Sequence, residues 1–237
     1  MSIQSTKILI AILALVFPLT GNTQERPITI DDLLALESVG SPQVSPDGEW
    51  VAYTVRSLDM DNDKSLTRIW MVSTSGGAPI PMTGVDYSTS NPKWSPDNRY
   101  LSFQASKGED AKTQVWNLNR LGGEAVQVTN AKFGISSYDW SPDGSRLLLM
   151  IKDPTEAELT TDKEDDDKPQ PHVIDRMQFK QDYVGYLDRR RTHIHVYTPG
   201  DEEPVQVTSG DYDDSDPAWS PDGKSIAFVS DRSEDPD

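Results

Sequence analysis

Residues 91–105 read NPKWSPDNRYLSFQA, and the four in the middle, Ser95-Pro96-Asp97-Asn98, decide the fold. Proline presets φ at the first central position of a tight turn, and aspartate tolerates the second. The residue that closes such a turn takes a left-handed conformation, which glycine adopts freely and asparagine better than any other substitute. An apolar residue leads into the turn and strand formers lead out, so the segment predicts a hairpin. The pattern returns at 41–55 (SPQVSPDGEWVAYTV), 137–151 (SYDWSPDGSRLLLMI) and 216–230 (DPAWSPDGKSIAFVS), with Gly48, Gly144 and Gly223 in the place of Asn98. Trp94, Trp140 and Trp219 end the incoming strands, and Val44 takes that position in the first copy.

A second signature follows each of the first three copies. RIWMVSTSGGAPIPMT (68–83), QVWNLNRLGGEAVQVT (114–129) and HIHVYTPGDEEPVQVT (193–208) each read as strand, turn, strand. One unit is therefore four short strands. Pro46 and Pro96 are 50 residues apart, and Pro96 and Pro142 are 46 apart. Four-stranded units at that period are the sequence sign of β-propeller blades. The expected fold is all-β: an incomplete propeller over 41–237, with three blades and half of a fourth. From Pro142 to Pro221 is 79 residues, and the excess places an insertion in blade three at about 152–186. Three and a half blades do not close a ring, so the chain reads as truncated.

Ahead of the blades, residues 24–40 form a lead-in. Thr29 and Asp32 make a capping pair, Leu33, Leu34 and Leu36 give an apolar stripe, and Gly40 is placed to end a short helix. Residues 1–23 have the layout of a secretory signal peptide: Lys7, the apolar run ILIAILALVF, then a polar exit. The run is too short to span a bilayer as a helix. The mature protein is expected to be exported, periplasmic or secreted, with no membrane span. The net charge of −17, from 39 acidic and 22 basic residues, would repel phosphate backbones and argues against nucleic acid as a partner. The absence of cysteine removes disulfides, thiol catalysis and cysteine-based zinc sites.

The W-S-P-D-G blades after the ITIDDLLAL helix resemble the N-terminal half of prolyl-oligopeptidase-family serine peptidases, in the dipeptidyl-peptidase and acylaminoacyl-peptidase branch. VIDRMQFK (173–180), GYLDRRRTHIHVY (185–197) and FVSDRSEDPD (228–237) carry the resemblance most specifically. The blade motif alone is shared with TolB-like periplasmic propellers, so a non-catalytic binding or scaffold propeller is the alternative. The resemblance implies a partner, a C-terminal α/β-hydrolase domain with a Ser-Asp-His triad and a G-x-S-x-G elbow. It also implies short peptide substrates, for which the propeller is a size filter. No G-x-S-x-G occurs here, so no catalytic residue is assigned and no cofactor is expected.

The candidate substrate-binding residues are Arg176, Asp188, Arg189, Arg190 and Arg191, at the return of the insertion. An arginine fork facing a cavity suits a peptide carboxylate or carbonyl. The competing reading is a salt-bridged blade edge. No metal site is expected. His193 and His195 share a strand face, but His195 aligns with the packing positions of Trp70 and Trp116. The carboxylates of DMDND (59–63) fail the calcium-loop pattern, because Lys64 stands at its glycine position. Glu202 and Glu203 lie in a turn before Pro204, unlike a helical glutamate pair that reads a peptide amine.

Overall fold

The computed structural model describes residues 26–60, 62–108, 111–159, 174, 179–182 and 185–232. The expected signal peptide, His172 and the acidic run 162–167 lie outside them. The chain divides into two compact units, one ending at Leu34 and one beginning at Ala35. In the first, α1 (Ile30–Leu34) starts with the expected pair: the Asp32 amide donates to Thr29 Oγ1 (3.3 Å) and the Thr29 amide to Asp32 Oδ2 (2.9 Å). The helix is shorter than the sequence suggests. Gly40 does not end it but lies inside the first strand, opposite Thr54.

The second unit holds three four-stranded antiparallel blades and a two-stranded sheet in the place of a fourth. Blade one is β1 (Ser38–Val44), β2 (Trp50–Asp59), β3 (Lys64–Ser73) and β4 (Ile80–Pro81). Blade two is β5 (Thr89–Trp94), β6 (Tyr100–Ala105), β7 (Gln114–Asn119) and β8 (Val126–Gln127). Blade three begins with β9 (Ser137–Trp140) and β10 (Leu147–Lys152). Its chain then leaves through α2 (Glu156–Leu159) and a small hairpin of β11 (Lys180–Gln181) and β12 (Gly185–Tyr186). It returns in β13 (Thr192–Tyr197) and β14 (Val205–Gln206), so the inserted segment runs to Arg191. The last sheet is β15 (Asp214–Trp219) with β16 (Ile226–Ser230).

All four Ser-Pro-Asp turns share one hydrogen-bond circuit. In blade one the Gly48 amide donates to Ser45 O (2.8 Å), and the Ser45 hydroxyl donates to Asp47 Oδ1 (2.5 Å) while accepting from the Trp50 amide (3.0 Å). Asp47 Oδ1 also accepts from the Glu49 amide at 3.1 Å. Ser95/Asp97, Ser141/Asp143 and Ser220/Asp222 repeat the pattern. The closing residues have the expected left-handed φ: 73° at Gly48, 61° at Asn98, 70° at Gly144 and 66° at Gly223. Serine and aspartate are thus braces as well as turn formers.

The core lies between blades. Ala52, Ile69 and Met71 of blade one meet Leu101, Phe103, Ala105 and Leu118 of blade two. Val115, Ala131 and Ile135 meet Leu147, Leu149 and Ile151. Leu148, Met150 and Ile194 meet Trp219 and Ile226. Strand β10 is a near-continuous apolar run, LLLMIK, because alternate residues face different neighbours and both faces are covered.

Candidate functional site

The antiparallel order puts the four Ser-Pro-Asp turns at one end of the blades. The loops from second to third strand, and the linkers between blades, lie at the other. The inserted segment of blade three opens on this second face. Its two stems are joined where it leaves the blade: Lys152 pairs with Thr192, and the Asp153 amide donates to Arg191 O (2.7 Å).

Around that joint the expected charges find partners. Asp188 accepts from Arg190 Nε at 2.6 Å and pairs with Lys152 Nζ at 3.1 Å. Partial burial opposes ionisation of Asp188, but the hydrogen bonds from Arg190 and Lys152 outweigh it and hold its pKa below the ordinary value. Arg191 is largely buried. It donates to Asp211 (2.8 Å) and Asp213 (3.4 Å) in the linker from blade three to β15. Its own amide donates to Asp153, and the Thr192 amide donates to Asp213 (2.8 Å). The Asp211 carboxylate raises the pKa of the Arg191 guanidinium further. Arg189 is exposed at the stem. Arg176 lies outside the described residues.

The structure therefore brings Asp188, Arg190 and Arg191 into a paired cluster with Lys152, Asp153, Asp211 and Asp213. Sequence reasoning did not find those four partners. Asp211 and Asp213 stand in GDYDDSD (210–216), a carboxylate-rich stretch in which nothing local names a basic partner.

His193 is buried beside this cluster, with Nδ1 3.4 Å from Asp214 Oδ2 and Nε2 3.7 Å from Asp153 Oδ2. Both ring nitrogens face carboxylates, so this is not a nucleophile–base arrangement. The register explains the position. His195, Trp70 and Trp116 are equivalent, facing Leu149, Tyr53 and Phe103 across their blades. Two residues earlier, His193 is equivalent to Arg68 and Gln114. Arg68 donates to Thr83 O (2.9 Å) and Gln114 to Ala131 O (2.7 Å), so each ties its strand to the link toward the next blade. His193 makes the same tie to Asp214. For His195, burial lowers the pKa and favours the neutral ring.

Among the described residues, no three acidic or histidine side chains are grouped to hold a metal ion, and no helix is long and apolar enough to cross a membrane.

No protein-family model matches the chain. Over 213 residues it is 32% identical to the uncharacterized peptidase YuxL of Bacillus subtilis (strain 168), covering 90% of this chain and 32% of that protein. Among solved structures, the acylaminoacyl peptidase of Pyrococcus horikoshii matches with a TM-score of 0.63 and 21% identity, over 83% of this chain and 28% of that one. The AtxE2 isopeptidase matches with a TM-score of 0.52 and 17% identity, over 88% of this chain and 39% of that one. The chain thus spans about a third of the relatives it matches. In sequence it resembles a peptidase and in fold the propeller part of an acylaminoacyl peptidase, as expected of the N-terminal propeller of a prolyl-oligopeptidase-type peptidase.

Proposed function

We propose that this chain is the substrate-gating propeller of an exported serine peptidase that hydrolyses short peptides. Its partner is an α/β-hydrolase domain supplied outside these residues. The observation that carries the reading is the 32% identity to a peptidase across nine-tenths of the chain, joined to a blade architecture shared with acylaminoacyl peptidase. A propeller limits what reaches a neighbouring active site by size, and the inserted segment of blade three opens on one face of the blades. Arg189, exposed at the stem, is the contact for a peptide carboxylate or carbonyl. Asp188, Arg190 and Arg191 hold the stem in place, and Arg176 shares the contact role. The layout of residues 1–23 supports export to the periplasm or medium.

The coding frame beyond Asp237 tests the main claim. An open frame that encodes G-x-S-x-G with a downstream aspartate and histidine is expected. A stop codon there would overturn it and leave a binding propeller. In the longer protein, Arg189→Ala is expected to raise KM for short peptides several-fold with kcat unchanged. Unaltered kinetics would remove the contact role.

A further inference from the structure

Blades one and two carry Trp70 and Trp116 at the third-strand position where blade three has His195. In blade two the indole fills its slot. Trp116 Nε1 donates to Ala105 O (3.1 Å), and Lys107 Nζ lies over the rings of Trp116 (3.9 Å to the centroid) and Tyr87 (4.3 Å). In blade three Ile151 holds the place of Ala105, two residues after the partner of the third-strand ring. Phe133 holds that of Tyr87, since it follows Thr129 as Tyr87 follows Thr83. The smaller imidazole leaves a cavity of about 150 Å3 beside it. Ala131, Phe133, Ile151 and Pro204 form apolar walls, and exposed Lys132 and Glu203 complete the lining. The segments that bound it, namely the linker into blade three, β10, β13 and the turn into β14, all lie within the described residues.

The lining offers one acceptor in an otherwise apolar space. Nδ1 of His195 lies 3.2 Å from His193 O. A carbonyl only accepts, so Nδ1 carries the proton of the neutral ring and Nε2 keeps a lone pair. Burial of the ring favours that neutral form. Among the described residues Nε2 has no hydrogen-bond partner. Lys132 rests its ammonium 5.1 Å from the Phe133 centroid. Its charge and that of Glu203 are opposite, so the lining as a whole suits a neutral guest.

We propose that this cavity binds a neutral phenol, its ring in the space that an indole takes in blade two and its hydroxyl donating to His195 Nε2. An apolar cavity of about 150 Å3 is large enough for one benzene ring. Burial of the guest ring against Phe133, Ile151 and Pro204 supplies the affinity, and the single acceptor fixes its orientation. The imidazole is already held by its bond to His193 O, so little side-chain entropy is lost when the guest enters. A free phenol and a tyrosine side chain share this chemistry, one ring with one donor.

The test needs no peptidase activity, so its outcome is independent of the gating proposal. The chain is labelled with 15N at histidine and 13C at the isoleucine methyls, and p-cresol and N-acetyltyrosinamide are titrated separately. Saturable shifts are expected at the Ile151 methyl and at His195 Nε2, with the methyls of Ile69 and Ile226 unmoved. Toluene is expected to leave Nε2 where it is, having no proton to donate. His195→Trp installs the residue of blades one and two. It is expected to keep the circular dichroism spectrum and to bind p-cresol at least about tenfold more weakly, or 1.4 kcal/mol. If that variant does not fold, His195→Phe supplies a ring without the acceptor and is expected to lose about fivefold for p-cresol and little for toluene. A response to only one of the two phenols identifies the source, and a response to both admits either. A wild-type chain that fails to titrate, undiminished binding in the variant that folds, or an equal Nε2 shift with toluene would overturn the proposal.

Discussion

Ser102 joins three elements through one hydroxyl. It donates to Lys93 O (2.8 Å) and accepts from Trp140 Nε1 (2.8 Å), with the Tyr138 hydroxyl at 2.9 Å. Ser102→Ala removes one oxygen yet strands the indole N–H and weakens the hold on a buried phenol. A buried polar group left unpaired costs about 1–3 kcal/mol, and a loss of that size is expected in urea unfolding. The next blade supplies the control. Leu148 stands where Ser102 does, and the buried Trp219 Nε1 has no hydrogen-bond partner among the described residues. Trp140→Phe is therefore expected to cost about 1 kcal/mol more than Trp219→Phe, the worth of one hydrogen bond. Equal losses would contradict this assignment. The repeated tryptophan is plain in the sequence, but its polar end is not, because the acceptor lies in the preceding blade. Another repeat was legible and went unread. Ser41, Asn91 and Asp216, each before a proline, have φ of 47°, 50° and 48° and mark a bulge in the inner strand. Blade three has Tyr138 in place of that proline, and no such bulge.

At the scale of single elements, the turns respond to acid. Hydrogen bonds from the Ser141 hydroxyl, the Ser145 amide and the Ser145 hydroxyl lower the pKa of Asp143 from 3.8 to about 2. The matching Asp47 and Asp222 are lowered chiefly by their serine hydroxyls, and Asp97 is lowered despite burial that opposes it. A lowered carboxylate stabilises the fold fully above its unfolded pKa and loses that contribution as pH falls through the folded value. Tm is expected to drop between about pH 4 and pH 2, with a shallower drop in Asp143→Asn. The same slope in both would exclude the brace. In blade two, Asn98 both closes the turn and donates to Asp47 of blade one. Asn98→Ala should therefore destabilise more than Asn98→Gly, since alanine adds left-handed strain to the lost bond. The helix end at Gly40 was misread because glycine ends helices often, and nothing local says that a strand has already begun at Ser38.

Across the whole molecule, the blades were legible from a repeated turn and a repeated period, which are local features of the chain. The charged cluster was legible only in half. Its arginines are adjacent in sequence, but Asp211 and Asp213 are brought to Arg191 by the return of the chain through β13 and β14. Arg191→Ala is expected to raise hydrogen exchange at residues 209–213 and 187–192 together, with about 1 kcal/mol lost, because Arg191 is largely buried but its partners Asp211 and Asp213 are exposed. Exchange confined to one segment would show that Arg191 does not couple them. The two ends of the blades differ in a way that bears on engineering. Each Ser-Pro-Asp turn closes its circuit within six residues, from Ser45 to Trp50 in blade one, and touches the turn beside it, as Gly144 lies against Pro96. Extra residues there would open the circuit and part the neighbours. The opposite end already accommodates everything from Asp153 to Arg191 between two paired strands. Foreign epitopes, affinity handles or whole guest domains thus have one permissive pole on this scaffold, and grafts at the other pole should cost the fold.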